Sequence, residues 1–189
     1  MRTFFCLELP QTVKSEVKET ASSIESPAYV KWVSRDNLHI TLKFLGDVDR
    51  KEVPTIKQKA EKSAAVVNPF NIEIDKLSSF PNPGFPKVIW LGSSSPPEEI
   101  FKLQEDLETR LENLGFDKED RDYVPHVTLG RTKDEDQTKI EKLGAKLKNE
   151  DLGTKWSVSI ENLTLMESTL KSDGPEYDPV FRLGLGNSS

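Results

Sequence analysis

NLHITLKFLG (Asn37–Gly46) and YVPHVTLGR (Tyr123–Arg131) hold the two histidines of the chain, each followed two positions later by threonine inside an apolar run. Both runs read as β-strands. Alternate side chains of a strand share a face, so His39 and Thr41 project together while Ile40, Leu42 and Phe44 form the opposite face. His126 and Thr128 likewise project opposite Val127 and Leu129. Each strand then carries one polar pair backed by hydrophobic packing. By the same parity Lys43 edges the cleft beside His39 and Phe44 belongs to the core. Arg131 has the wrong parity relative to His126 and reaches that face only if the strand ends or bulges after Gly130.

Working outward, Thr3–Leu9 is a β-prone run, and Pro10 opens a helix with Val13, Val17, Ala21 and Ile24 on its apolar face. Strands follow at Tyr29–Val33 and Leu38–Leu45, then a helix carrying Val53, Ile56, Ala60 and Ala64, then a half-buried strand at Phe70–Ile74. SSFPNPGFP suits a loop. Beyond it come a strand at Lys87–Gly92, a helix introduced by Pro96 and Pro97 and stopped by Gly115, and the second histidine strand, Val124–Gly130. Asp134 is placed to cap a helix bearing Ile140, Leu143 and Leu147, with Gly144 inside it. Trp156, Val158 and Ile160 alternate, but Leu163 and Leu165 continue on the other parity, which calls for a bulge near Asn162. A turn at SDGPEYDP leads into a last strand, Val180–Leu185.

The two halves repeat their landmarks. Phe5 matches Trp90, Pro10 matches Pro96 and His39 matches His126, at offsets of 85, 86 and 87 residues. This spacing implies an internal duplication in which each half supplies one equivalent strand to a shared cleft. The expected architecture is α+β: a single bilobal domain over residues 1–189, with lobe halves of 1–82 and 83–189 and room for strand exchange between them.

Composition limits the functions open to such a fold. With a net charge of -6, a pI near 5.1, 35% hydrophobic and 31% charged residues, the chain lacks the basic surface that grips long nucleic acid without sequence preference. A small phosphate site needs only a few local cations. The lone Cys6 forms no internal disulfide and reads as a buried small side chain in a reducing compartment. No run of 18 apolar residues and no signal-peptide pattern occurs, so a cytoplasmic protein is expected. Two histidines 87 residues apart make a poor zinc site, and no G-x-x-x-x-G-K-[ST] loop is present.

Two imidazoles titrating near neutral pH on either side of one group suit a reaction that removes one proton and donates another. A threonine hydroxyl beside each ring can donate to an oxygen between them. A phosphodiester, whose in-line displacement has an entering and a leaving oxygen, matches that arrangement, and Arg131 would add a charge-assisted contact. Trp32 is a candidate for stacking on a base. These residues leave open which histidine gives the proton and which takes it.

LHITLKFLG and PHVTLGR resemble the paired H-x-T motifs of the two-histidine phosphoesterase superfamily, and within it the RNA 2′,3′-cyclic phosphodiesterase family, also called 2′-5′ RNA ligases. The resemblance extends over FFCLELP, VKWVSRDNLHITLKFLG, FPNPGFPKVIWLG and the closing strand. It implies a bilobal fold of antiparallel sheets around a central cleft, and metal-independent, cofactor-free hydrolysis of a terminal 2′,3′-cyclic phosphate to a 2′-phosphate. It assigns His39 as proton donor and His126 as proton acceptor, Thr41 and Thr128 to the non-bridging oxygens, and Arg131 to phosphate binding. The implied partner is RNA with a cyclic phosphate end, tRNA fragments included, or a small cyclic nucleotide, acted on by a monomer. A ligase activity would run the same displacement with an alcohol nucleophile or in reverse. A non-catalytic RNA-end binding module and a metal-dependent hydrolase are the rival readings; turnover in EDTA separates them.

Overall fold

β1 (Arg2–Glu8) shows why the N-terminal run is apolar on both parities. Phe5 and Leu7 enter the main core, while Phe4 and Cys6 face the other way into a small cluster with Met166 and Tyr177. The structure is a computed structural model that describes residues 1–172 and 174–186. The order continues α1 (Gln11–Ser23), β2 (Val30–Trp32), a 3-10 turn (Arg35–Asn37), β3 (His39–Asp47), α2 (Val53–Ala64), β4 (Phe70–Ile74), β5 (Lys76–Asn82) and β6 (Phe85–Gly92). It ends α3 (Glu98–Glu112), β7 (His126–Thr132), α4 (Gln137–Asn149), β8 (Trp156–Ile160), β9 (Asn162–Lys171) and β10 (Gly174–Gly184). Among the described residues no helix is long and apolar enough to cross a membrane.

One antiparallel sheet runs β10-β9-β1-β3-β7-β6-β5, with β2 also paired to β7, and β4 and β8 form a separate ribbon. The two histidine strands lie side by side at its centre, joined through one register pair, Ile40 opposite Val127. To one side β1 and β3 are extended by β9 and β10 from the end of the chain. On the other, β7 pairs with β6 and with β2 from the beginning of the chain. The fold is α+β and bilobal, with antiparallel strands throughout.

Several local expectations are corrected. SSFPNPGFP is a hairpin rather than a loop: Phe80 pairs with Val88, and the Asn82 side chain accepts from the backbone N–H groups of Gly84 (2.9 Å) and Phe85 (3.1 Å) to close the turn. Pro81 is tolerated because β5 is an edge strand, where its missing N–H leaves no ladder bond unmade. The last strand starts at Gly174 instead of Val180 for the same reason, since Pro175 and Pro179 sit on the other edge. Asp173, in the expected turn, lies outside the described residues. The parity change after Ile160 is no bulge but a change of sheet: Ile160 pairs with Phe70, whereas Asn162 pairs with Gly184.

Asp136, not Asp134, caps α4 by accepting from the Lys139 N–H at 3.3 Å. Asp134 instead accepts from the backbone N–H groups of Tyr29 and Asp136, both at 3.0 Å, where β2 meets the end of β7. Gly144 is explained by close approach, because a Cβ there would lie 2.6 Å from the Pro83 carbonyl oxygen. The internal repeat is also re-registered. Cys6 and Trp90 hold equivalent places, opposite Thr41 and Thr128, so the offset between β1 and β6 is 84 rather than 85 and the counterpart of Phe5 is Ile89. Aromatic character paired Phe5 with Trp90, but one points into the core and the other lies beside His126.

Candidate active site

Each histidine opens its strand, and the residue two before it supplies the carbonyl that sets its tautomer. The His39 Nδ1–H donates to the Asn37 carbonyl at 2.7 Å, and the His126 Nδ1–H donates to the Val124 carbonyl at 2.7 Å. With Nδ1 carrying the proton, Nε2 of each neutral ring is the free base. Thr41 donates its hydroxyl to His39 Nε2 at 2.9 Å. Among the described residues no equivalent bond joins Thr128 to His126.

Aromatic rings fix both imidazoles from the side. His39 lies 4.9 Å from Phe4 and edge-on to Tyr177 at 5.4 Å. His126 lies edge-on to Phe80 at 5.1 Å and 5.9 Å from Trp90. Burial pushes the His39 pKa down to about 4; the Asn37 carbonyl opposes this, and Lys14 and His126 add to it. Burial also holds His126 below its ordinary value, against the Val124 carbonyl and with help from the Arg131 charge. At neutral pH the free site therefore holds two neutral imidazoles beside a cation, an arrangement that gains from a bound anion.

Strand parity alone misplaces the residues beyond each threonine, because both strands bulge. Along β3, Thr41 opposes Cys6 and Lys43 opposes Phe5, leaving Leu42 as the extra residue. Along β7, Thr128 opposes Trp90 and Gly130 opposes Ile89, leaving Leu129 as the extra residue. The bulges come at the same step of both motifs and flip the side chains that follow, in β3 as far as Phe44, after which Leu45 is a second extra residue.

Arg131 consequently joins the face of His126 and Thr128, through a bulge one residue earlier than the parity required. Lys43 is corrected from the cleft edge to the interior: only 4% exposed, it donates to Glu108 at 2.5 Å and to the Asp117 carbonyl at 2.7 Å. Phe44 is corrected in the opposite sense, from the core to the cleft face, 66% exposed with its ring 5.8 Å from Phe4. Trp32 is also corrected. It opposes Gly130, and a Cβ on that glycine would lie 2.9 Å from the Trp32 ring, so the indole fills the space behind the bulge against the core. The β2 residue on the cleft face is Lys31, opposite Arg131.

His39, Thr41, His126, Thr128 and Arg131 are thus brought to one face, and Lys43 and Trp32 are not. Sequence reasoning missed Phe44, Phe4, Tyr177, Phe80 and Trp90. A usable signal existed for Phe44: Arg131 needed a bulge, and the duplication carries that bulge onto the first motif. Among the described residues no three His, Cys, Asp or Glu side chains form a metal-binding cluster.

A family model for the 2′-5′ RNA ligase superfamily matches residues 10–171. The chain belongs to this superfamily. Among its relatives is a Methanothermobacter thermautotrophicus protein named RNA 2′,3′-cyclic phosphodiesterase, 35% identical over 97% of this chain and 99% of that protein. An Escherichia coli protein of the same name is 26% identical over 97% of this chain and 96% of its own length. A solved Thermus thermophilus structure superposes with a TM-score of 0.79 at 25% identity, covering all of both chains. E. coli LigT complexed with 3′-AMP shares the fold at a TM-score of 0.79, with 24% identity over 98% of each chain.

Proposed function

We propose that this chain hydrolyses the 2′,3′-cyclic phosphate at an RNA end to a 2′-phosphate, by general acid and base catalysis between His39 and His126. The observation that carries the reading is the matched pair of His-x-Thr motifs on adjoining central strands, each imidazole held in the same tautomer by the carbonyl two residues before it. The names of the relatives support the reaction class.

In this reaction His126 accepts a proton from water as the water oxygen attacks phosphorus. The bond from phosphorus to the 3′ oxygen breaks in line, and His39 protonates the departing oxygen. His39 must be an imidazolium at that moment, although burial disfavours the charge in the free protein. A phosphodiester anion seated beside it supplies the opposite charge that restores the proton. The Thr41 hydroxyl turns from His39 Nε2 to a non-bridging oxygen, and Thr128 and Arg131 hold the oxygens on the other side. The exposed Phe44 ring beside Phe4 offers the base a stacking surface. Since every group comes from one chain, a monomer suffices. Ligation results when a 5′-hydroxyl replaces water as the nucleophile.

The test is product analysis after incubating an oligonucleotide that ends in a 2′,3′-cyclic phosphate with the protein in EDTA. A 2′-phosphate end is expected. Binding without product over long incubation points to a binding module instead, and turnover that needs an added divalent ion points to a metal-dependent hydrolase.

A further inference from the structure

The two half-sites must keep a fixed separation for one phosphate to touch both imidazoles, yet the ladder that joins their strands is minimal. β3 meets β7 through Ile40 opposite Val127 alone, whereas β1 pairs with β3 from Arg2 to Glu8. Other contacts have to hold the halves in register.

They come from the segments that lead into each histidine. Before His39, Trp32 pairs with Gly130 and the Val33 N–H donates to the Leu129 carbonyl at 2.8 Å, so this leader is bonded to the other motif's strand through backbone. Before His126 the chain runs from α3 through residues 113–125 without regular structure, and side chains do the equivalent work. The Tyr123 hydroxyl donates to the Thr41 carbonyl at 3.0 Å, and the Lys43 ammonium, inside the β3 bulge, donates to the Asp117 carbonyl at the start of the same loop. Glu108 on α3 neutralises that ammonium and also accepts from Gln104 at 3.2 Å. Each leader therefore crosses to the opposite motif at or beside its threonine.

We infer that Tyr123 and the Lys43–Glu108 pair are positioning residues that hold the loop carrying the Val124 carbonyl onto β3, and so fix the orientation of His126 relative to His39 and Thr41. None of the three touches the reacting atoms. Lys43 and Glu108 are nearly excluded from solvent, a placement that costs desolvation and that hydrophobic residues would fill with less penalty. The pair acts as a geometric device: a buried ammonium tied to two separate elements specifies one loop position. Tyr123 adds a tie to Thr41 itself, with its ring edge-on to Phe101 at 6.1 Å. This inference rests on the proposed reaction for its kinetic consequence but not for its structural one.

Tyr123→Phe removes a single hydroxyl and keeps the ring. With two histidines in the chain, the imidazole nitrogens are assignable by NMR after nitrogen-15 labelling. In the parent both rings should show the Nδ1–H tautomer. In Tyr123→Phe the His126 ring should show mixed tautomers and titrate further below its ordinary value, because the Val124 carbonyl that opposes the depression is no longer held against Nδ1, while His39 keeps its signals. Turnover of a cyclic phosphate end should fall roughly tenfold in kcat with KM changed by no more than about twofold, as expected when a remote contact sets alignment. Unchanged His126 signals would overturn the inference for Tyr123, even in a protein that turned over nothing. Glu108→Gln keeps a hydrogen bond to Lys43 but removes the charge. It should give the same His126 signature, more weakly, and a lower melting temperature with an unaltered His126 spectrum would reduce the Lys43–Glu108 pair to a structural contact.

Discussion

From His39 to Leu42 the first half-site has the same pattern as the second, from His126 to Leu129, and both strands bulge at that leucine before their chemistry diverges. In the first, the inward position takes Lys43 and the outward position Phe44. In the second, the inward position takes Gly130, closed over by Val30 and Trp32, and the outward position takes Arg131. One backbone device thus presents an aromatic ring on one side of the cleft and a guanidinium on the other. Two symmetric imidazoles would have no means of choosing roles. In the proposed reaction the unequal flanks choose for them, because a substrate that stacks its base near Phe44 and turns its phosphate oxygens to Arg131 presents one scissile bond to one acid.

The comparison breaks most visibly at the histidines. Replacing either His39 or His126 by alanine should lower kcat on a cyclic phosphate end by roughly a thousandfold, within the usual span for a general acid or base. If one variant kept most of its turnover, only one half-site would be catalytic. Next come the flanks. Arg131→Met should reduce kcat/KM by roughly 10- to 100-fold whatever the base, as expected for losing a charge-assisted contact to phosphate. Phe44→Ala should raise KM by about tenfold, more for purine than for pyrimidine ends, with kcat little changed. Steady-state kinetics on cyclic mononucleotides of different bases would show both effects, and a base-independent response to Phe44→Ala would remove the division between charge and stacking.

The smallest expected effect is on pH dependence. Turnover needs one imidazole protonated and one neutral, and burial depresses both pKa values in the free protein, His39 to about 4. The bell in kcat/KM, which reports the free enzyme, should centre on the acid side of 6.5. Bound phosphate favours the imidazolium, so the bell in kcat should lie at higher pH. Coincident bells would mean that substrate charge does not retune the pair.

The β-prone apolar run of Thr3–Leu9, the helical spacing after Pro10 and Pro97, and the pairing of both histidines with threonines were legible because each depends on neighbours within one element. The strands at Lys76–Asn82 and Gly174–Gly184 were not, since their prolines and glycine suit a strand only at a sheet edge, and edge position is a tertiary fact. Sheet membership hid the break at Glu161 in the same way. Within the site, parity worked up to Leu42 and Leu129 and failed beyond them.

The amino-acid order by itself determined the α+β class, the internal repeat and the placing of two histidine-threonine pairs on strands, because period and spacing are local properties of a chain. Tertiary structure decided which residues surround those pairs. A bulge is defined only by the strand opposite, so Cys6 and Phe5 settle the direction of Lys43 and Phe44, and Trp90 and Ile89 settle that of Gly130 and Arg131. The buried ammonium likewise depends on a glutamate 65 residues away on α3, a partner that folding alone brings within reach.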